Sequence, residues 1–506
     1  MHKKGRVLDF LNSVDIAAVG TSNLGSPRQR MMHYAFTENF EIYLSSMKGD
    51  PKVIQWSNVP ETALLIHKGE EFMEMEECEI IGRAEIVRDE EERKKALELV
   101  GERSPIVSHF KETGVTDRLE FIKIVPYTVK YRFVPEVMQG QPPTVFEFEE
   151  NTKKSNVWDD VKAKARAWKE ATRPLSLTAS LIPIILGASL AIGLDGVFNT
   201  MLFILTLLAG LLIQSGTNMI NDWKDAERDA ENRSGIRPFT GGSKMIQMGL
   251  ISRSDMGFFG ILTSLIAFII GLYLVFTSGW VLIPLIIYGL LAGLFYTGAK
   301  GRFSFINMGT GLAEFLIATT YGVFMTLGAY VVQTGSYSLT VVLISLPVAL
   351  FITNVLVINQ FADAESDEKT DKNTLVVRLG KKNAKNFLTV SFILGYLLIA
   401  VYPFTGITDL WIYLAFLSLP FCFQAIRYTQ KHYESTPTEL IPGNAHTAIN
   451  HLFSGLMIAL AFLISMVNTG VSALYFAASV ALIIWVWRYI ERQRKVMTGV
   501  KEAFKG

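Results

Sequence analysis

Hydrophobic and polar positions change their pattern at about residue 174. Before residue 135, apolar and polar residues alternate in short runs: DIAAVGTSNLGSPRQRMMHYAF, FEIYLSS, ETALLIHKG, CEIIGRAEIV and FIKIVPYTVKYRF, with Gly- and Asn-containing breaks between them. A period of two predicts half-buried strands, so residues 1–135 are expected to form a β-rich α+β barrel or sheet. The charged stretch 89–99 has helical composition and is expected to pack outside it.

Residues 135–156, PEVMQGQPPTVFEFEENTKKSN, read as a linker rich in Pro, Gln and charge. Residues 157–172 then carry Trp158, Val161, Ala165 and Trp168 toward one side, with Lys162, Lys164, Arg166 and Lys169 among the others. That pattern predicts an amphipathic helix lying at the headgroup level of a bilayer. Linker and interfacial helix together occupy 136–172.

Apolar runs of membrane-crossing length follow. They fall near 175–195, 199–220, 255–277, 279–297, 309–333, 339–360, 386–405, 408–426, 447–467 and 471–489, the last the weakest. Residues 173–490 are therefore expected to form an all-α multi-pass bundle of nine or ten transmembrane helices, with a cytosolic tail at 491–506. Lys300, Arg302, Lys381, Lys382, Lys385, Arg427, Lys431, Arg492 and Lys495 lie in alternate loops, whereas the intervening TSG, QTGSYS and TGITD have no Lys or Arg. The positive-inside rule assigns the basic loops to the cytoplasm, and the first fifteen residues lack the apolar core of a signal peptide. The expectation is an inner-membrane protein with its N-terminal domain in the cytoplasm.

The net charge of +1, without basic tracts, excludes nucleic acid as a partner. Cys78 and Cys422 form neither a disulfide framework nor a thiolate metal site.

Two polar stretches carry the chemistry. Residues 218–243, NMINDWKDAERDAENRSGIRPFTGGS, place Asn221, Asp222, Asp225 and Asp229 in helical register after one apolar run. Residues 359–374, NQFADAESDEKTDKNT, place Asn359, Asp363, Asp367 and Asp371 four apart after another. Such spacings share a helix face, where like charges destabilise unless a cation offsets them. Hard oxygen donors suit Mg²⁺, which commonly bridges carboxylate and phosphate. A binuclear magnesium site holding a diphosphate is the functional reading, and solvated acidic turns are the bland one. Both stretches fall on the cytoplasmic side.

Asn221-Asp222-x-x-Asp225-x-x-x-Asp229 and Asp363-x-x-x-Asp367 resemble the two aspartate motifs of UbiA-superfamily intramembrane prenyltransferases, a resemblance covering residues 165–470. Arg173-Pro174, Arg237-Pro238 and Tyr296-x-x-x-Lys300 also match. GGS at 241–243, FYTG at 295–298, LGAYVVQTG at 327–335 and KxTLVVRLG at 372–380 resemble the 1,4-dihydroxy-2-naphthoate polyprenyltransferases of menaquinone synthesis. Asp371, where that branch usually has Gly, and Gln360, where it often has Asn, are departures that bear on the acceptor more than on the reaction.

The resemblance implies that Asn221, Asp225, Asp229, Asp363 and Asp367 hold Mg²⁺ on a polyprenyl diphosphate, with Asp222 and Asp371 as outer members. Lys300, Arg237, Lys244 and Lys372 then contact phosphate oxygens, and Asn359 lies in the substrate site. The π faces of Tyr296, Tyr321 or Phe324 offer a shield for the prenyl cation, with packing or interface anchoring as the bland reading. The acceptor is an aromatic ring, with a glycerophosphate or a porphyrin as alternatives; a non-enzymatic membrane sensor or transporter is the rival class.

At the other end, the order helix, strand, GSPRQRM, strand, SSxxGDPKV, strand resembles a pyridoxamine phosphate oxidase-like flavin-binding split barrel. By that resemblance Arg28, Arg30, Ser45, Ser46 and Lys52 hold the phosphate of FMN. Related barrels take a deazaflavin, haem or nothing.

Overall fold

The structure is a computed structural model of the chain and describes residues 2–23, 26–149, 157–226, 242–246, 250–297, 311–369, 373–436 and 439–503. It separates into two compact units, one of Met1–Trp168 with two short later segments and one of Lys169–Lys244 and Arg253–Arg494.

The first unit begins with α1 (His2–Asn12) and continues through β1 (Ile16–Asn23), β2 (Ser26–Phe36), β3 (Ile42–Met47), α2 (Pro51–Asn58), β4 (Glu61–Lys68) and β5 (Glu76–Ile86). α3 (Glu90–Arg103), α4 (Pro105–Glu112), β6 (Leu119–Phe133), α5 (Val134–Met138) and β7 (Thr144–Glu147) complete it. The strand order is β3-β2-β1-β4-β5-β6-β7, and an added β3–β6 pairing closes six strands into a barrel. The long β6 makes this possible. Its first half, 119–124, pairs with β3, and its later residues 128–131 pair with β7.

β4 alternates buried and exposed residues along Thr62–His67, and its inward Leu64 and Ile66 join Val19, Tyr34, Leu44, Ile80, Ile122 and Ile124 in the core. Val7, Phe10 and Leu11 of α1 pack into the same core. The helix expected outside the barrel is α3, started by Asp89, whose carboxylate accepts from the N–H groups of Glu91 and Glu92. Its Ala96 and Val100 cover Ala35, Tyr43 and Phe121.

The expected linker needs correction. Residues 134–147 supply α5 and β7, and β7 takes the free edge of β6, where main-chain pairing outweighs a composition typical of loops.

α6 (Val157–Ala171) leads to the second unit, an all-α bundle: α7 (Thr178–Asp195), α8 (Thr200–Lys224), α9 (Arg253–Ser278) and α10 (Ile283–Thr297). Then come α11 (Leu312–Thr334), α12 (Leu339–Lys369), α13 (Leu375–Val401), α14 (Leu410–His432), α15 (Ile441–Leu463) and α16 (Thr469–Ala503). Among the described residues, nine helices are long and apolar enough to cross a membrane. The shorter apolar helix is the fourth candidate, at Trp280–Gly293, while the final one, which looked weakest, runs long enough at Thr469–Arg492. This is a multi-pass membrane protein with a β-barrel in front.

α11 is π-helical over Ala318–Phe324 and lies close to both α7 and α12. Small residues permit the approach. A Cβ on Gly187 would stand 2.2 Å from the Thr326 carbonyl oxygen, and one on Gly322 would stand 2.3 Å from the Ala349 Cβ.

Candidate active site

The described residues of both polar stretches lie at one end of the bundle, as contacts at the opposite end establish. There the Asn199 N–H, just before α8, donates to Gln333 Oε1 at 2.6 Å, and the Tyr330 hydroxyl donates to Asp195 at 2.6 Å. α8 and α12 thus start beside the end of α11 and run away from it together, carrying their acidic residues to the other end. The LGAYVVQTG stretch is the far-end fastener, closed by Gly335 in the left-handed conformation at the end of α11.

α8 ends at Lys224 with Asp225 as its cap, so Asn221 and Asp222 are helical and the expected helix ends within the motif. The Asp225 N–H donates to the Asn221 carbonyl at 2.9 Å. Asp229, Arg237, Lys300, Asp371 and Lys372 lie outside the described residues, as does the side chain of Tyr296. α12 continues without a break through Asn359, Asp363 and Asp367 to Lys369, so these three share one helix face. Asp367 is buried and Asp363 half-buried.

Asp222 is buried and fully engaged. It pairs with the Arg173 guanidinium and accepts from the hydroxyl of Ser243, whose N–H donates to Asp222 Oδ2 at 3.2 Å. Arg173 and Lys244 flank this clamp with φ of 52° and 61°, a left-handed backbone that costs non-glycine residues about 1–2 kcal/mol. Asp222 therefore fastens the chain before α7 and the segment at Ser243 to the end of α8, and Lys244, next in sequence to Ser243, is buried. One turn earlier, the Asn218 amide donates to the Thr172 carbonyl and to the Ser176 hydroxyl at 2.9 and 2.8 Å.

On the α12 side, the Gln360 amide donates to Glu314 at 2.7 Å and its oxygen accepts from the Val376 N–H at 3.3 Å, joining α11, α12 and α13. Gln360 and Glu314 are both buried. Asn444, at the start of α15, donates to Asn359 Oδ1 at 2.7 Å. α13 is bent where Gly380 adopts φ 74°, and Lys381 just beyond lies 3.7 Å from Glu365.

Among the described residues, no three of His, Cys, Asp or Glu converge as a ready-made metal site. The donors stand as two separate sets, Asn221 with Asp225 and Asp363 with Asp367. Their chemistry fits Mg²⁺, since all are hard oxygen ligands.

In the barrel, Arg30 reaches inward, donating to Thr21 Oγ1 at 3.0 Å and Gln55 Oε1 at 2.9 Å. Burial lowers its guanidinium below the ordinary value, against the opposing charge of Asp50. Ser46 is buried with a hydroxyl that has no partner among the described residues. A guanidinium whose hydrogen bonds, among the described residues, go to neutral oxygens, together with an unsatisfied hydroxyl, fits a phosphate. Lys52 is instead paired with Asp50 at 2.6 Å, Arg28 is exposed, and Ser45 pairs across to Phe121 on β6.

Residues 180–441 match the model of the UbiA prenyltransferase family, which is just over half of the chain. The chain belongs to the UbiA prenyltransferase family. It is 28% identical to the 1,4-dihydroxy-2-naphthoate octaprenyltransferase of Bacillus subtilis over 308 residues, 58% of this chain and 92% of that one. It is 27% identical to the enzyme of the same description from Escherichia coli, over 60% of this chain and 97% of that one. It is also 27% identical to the 2-carboxy-1,4-naphthoquinone phytyltransferase of Synechocystis, over 59% and 93%.

Among solved structures, it is similar to a digeranylgeranylglyceryl phosphate synthase at TM-score 0.40 and 19% identity, over 60% of this chain and 98% of that one. A general stress protein 26 relative of the pyridoxinephosphate oxidase family from Clostridium acetobutylicum aligns at TM-score 0.24 and 15% identity, over 29% and 95%.

This UbiA-family prenyltransferase thus surrounds its motifs with residues that spacing did not single out: Asn218, Glu314 and Asn444. A signal existed for Glu314. It is the one carboxylate within the apolar run 309–333, and an ionisable residue there is a functional pointer by default. For Asn218 and Asn444 no local signal distinguishes them from other helix-end amides.

Proposed function

We propose that the bundle transfers a polyprenyl group from a polyprenyl diphosphate to 1,4-dihydroxy-2-naphthoate in menaquinone biosynthesis, in a Mg²⁺-dependent reaction on the cytoplasmic side. The observation that carries it is the pair of Asn/Asp donor sets delivered to one end of the bundle by α8 and α12, in a chain related to dihydroxynaphthoate prenyltransferases. The basic residues Lys381, Lys382, Arg427 and Lys431 at that end support its cytoplasmic orientation.

Asn221, Asp225, Asp229, Asp363 and Asp367 hold Mg²⁺, which when bound supplies the positive charge that lets the allylic C–O bond break. Arg237, Lys244, Lys300 and Lys372 bind the departing diphosphate. Asn359 sits in the substrate pocket, oriented by Asn444, and Tyr296 lines the prenyl group. Asp222 positions Lys244 through Ser243 instead of binding metal. The acceptor ring attacks the prenyl carbon, and the alkylated ring carbon then loses its carboxylate as CO₂ to give a demethylmenaquinol.

Radiolabelled prenyl diphosphate offered with dihydroxynaphthoate, a glycerophosphate or a porphyrin tests this. Label is expected in the naphthoate alone, and Asp225→Ala should abolish transfer. Labelling of another acceptor overturns the acceptor assignment, and full activity of the variant overturns the metal assignment.

The barrel's Arg30 and Ser46 support a flavin phosphate site, with Arg28, Ser45 and Lys52 at its margin. Flavin held there in its reduced form would supply the two electrons that return an oxidised acceptor or product to its hydroquinone state, and would itself need reduction by a hydride donor between turnovers. Purified protein is expected to carry or take up a yellow chromophore; a colourless preparation that binds no added FMN overturns this part alone.

A further inference from the structure

On a different side of α15 from the motif residues lies a cavity of about 320 Å³ lined by Gln424, Arg427, Tyr428, Lys431, His432 and His446. We propose that it binds the phosphate of an anionic phospholipid headgroup.

Three observations carry this. The lining holds two cations and two imidazoles and no carboxylate. Arg427 and Lys431 make no ion pair among the described residues; of the acids that follow them in sequence, Glu434 interacts with Tyr433 and Glu439 accepts from the Thr436 N–H. Second, the rings form a stacked wall: Tyr428 lies 5.8 Å from His446 at 14° and 6.2 Å from His432 at 25°, and Trp487 of α16 lies 5.2 Å from His446. The His446 Nδ1 is buried there without a partner among the described residues. Third, the height and outlook are those of a headgroup. Asn444 meets Asn359 at the motif-bearing end, and His446, two residues on, is turned about 200° from it around α15. Phe423, one turn before Arg427 on α14, and Ile484, one turn before Trp487 on α16, expose large apolar side chains on the neighbouring surface, where acyl chains would lie.

Phosphate chemistry is common to a lipid and to a free anion, but the adjoining apolar surface selects the lipid. The full-length protein in detergent is mixed with phosphatidylglycerol or phosphatidylcholine, and retained lipid is counted by native mass spectrometry. One phosphatidylglycerol should bind more tightly than phosphatidylcholine. Arg427→Gln with Lys431→Gln should weaken it about fivefold or more, while Lys381→Gln with Lys382→Gln, an equal loss of charge elsewhere at the same end, should leave it unchanged.

Equal retention of the two lipids, or equal weakening by both variants, overturns the proposal. Displacement of the lipid by millimolar inorganic phosphate assigns the cavity to a free anion and overturns it too. Arg427 and Lys431 are exposed, so their loss leaves packing intact; should the double variant fail to fold, Lys431→Gln alone reads the same difference.

Discussion

Asp222 belongs to the first aspartate motif in sequence, yet its contacts are those of a clamp. Asp222→Ala would leave the Arg173 guanidinium, whose side chain is 31% exposed, without its carboxylate, and would remove the Asp222 oxygens that the Ser243 N–H and hydroxyl bond. Removing one partner of a buried ion pair costs about 3–5 kcal/mol. The partial exposure of Arg173 sets the lower end, about 3 kcal/mol, or roughly 6 °C in Tm at about 2 °C per kcal/mol. Arg173→Ala breaks the same pair, so the double variant should melt within about 2 °C of the worse single variant, the mark of coupled residues. The assay is thermal unfolding in detergent for wild type, both single variants and the double. Effects that simply add would refute the clamp. So would Asp222→Asn with wild-type Tm and no prenyl transfer, which would return Asp222 to the metal.

Three other outcomes are expected. Gln360→Leu removes the partner of buried Glu314 and should cost about 1–3 kcal/mol, with Glu314→Gln partly restoring Tm in the double variant. Gly322→Ala drives a methyl to 2.3 Å from Ala349 and should cost about 1–3 kcal/mol by overpacking, read as a lower Tm, whereas Gly289→Ala, where nothing lies within 4 Å, should not. In the barrel, the Tyr43 hydroxyl bonded to Glu92, followed by Lys123, holds that carboxyl below the usual range. The stability it contributes is complete above about pH 4.3, the unfolded value, and is lost as pH falls through the lower folded value. Acid titration of Tm should therefore show a smaller loss for Tyr43→Phe than for wild type.

Local pattern was enough for much of this molecule. Alternation along residues such as 62–67 foretold strands because a strand exposes every second side chain. The apolar runs foretold the helices because a bilayer core demands length and hydropathy that any window of sequence displays. The Asp363/Asp367 spacing likewise needed only a helix to place both on one face.

What local pattern could not supply was partnership between distant residues. Nothing near residue 222 says that Arg173 and Ser243 will occupy that carboxylate, that Gln333 will hold the start of α8, or that β6 has an edge left for residues 144–147. Those assignments depend on which backbone groups and charges remain unsatisfied once the elements have packed. Only the folded chain determines that, because a buried polar group takes its partner from whatever the neighbouring element brings within hydrogen-bond reach.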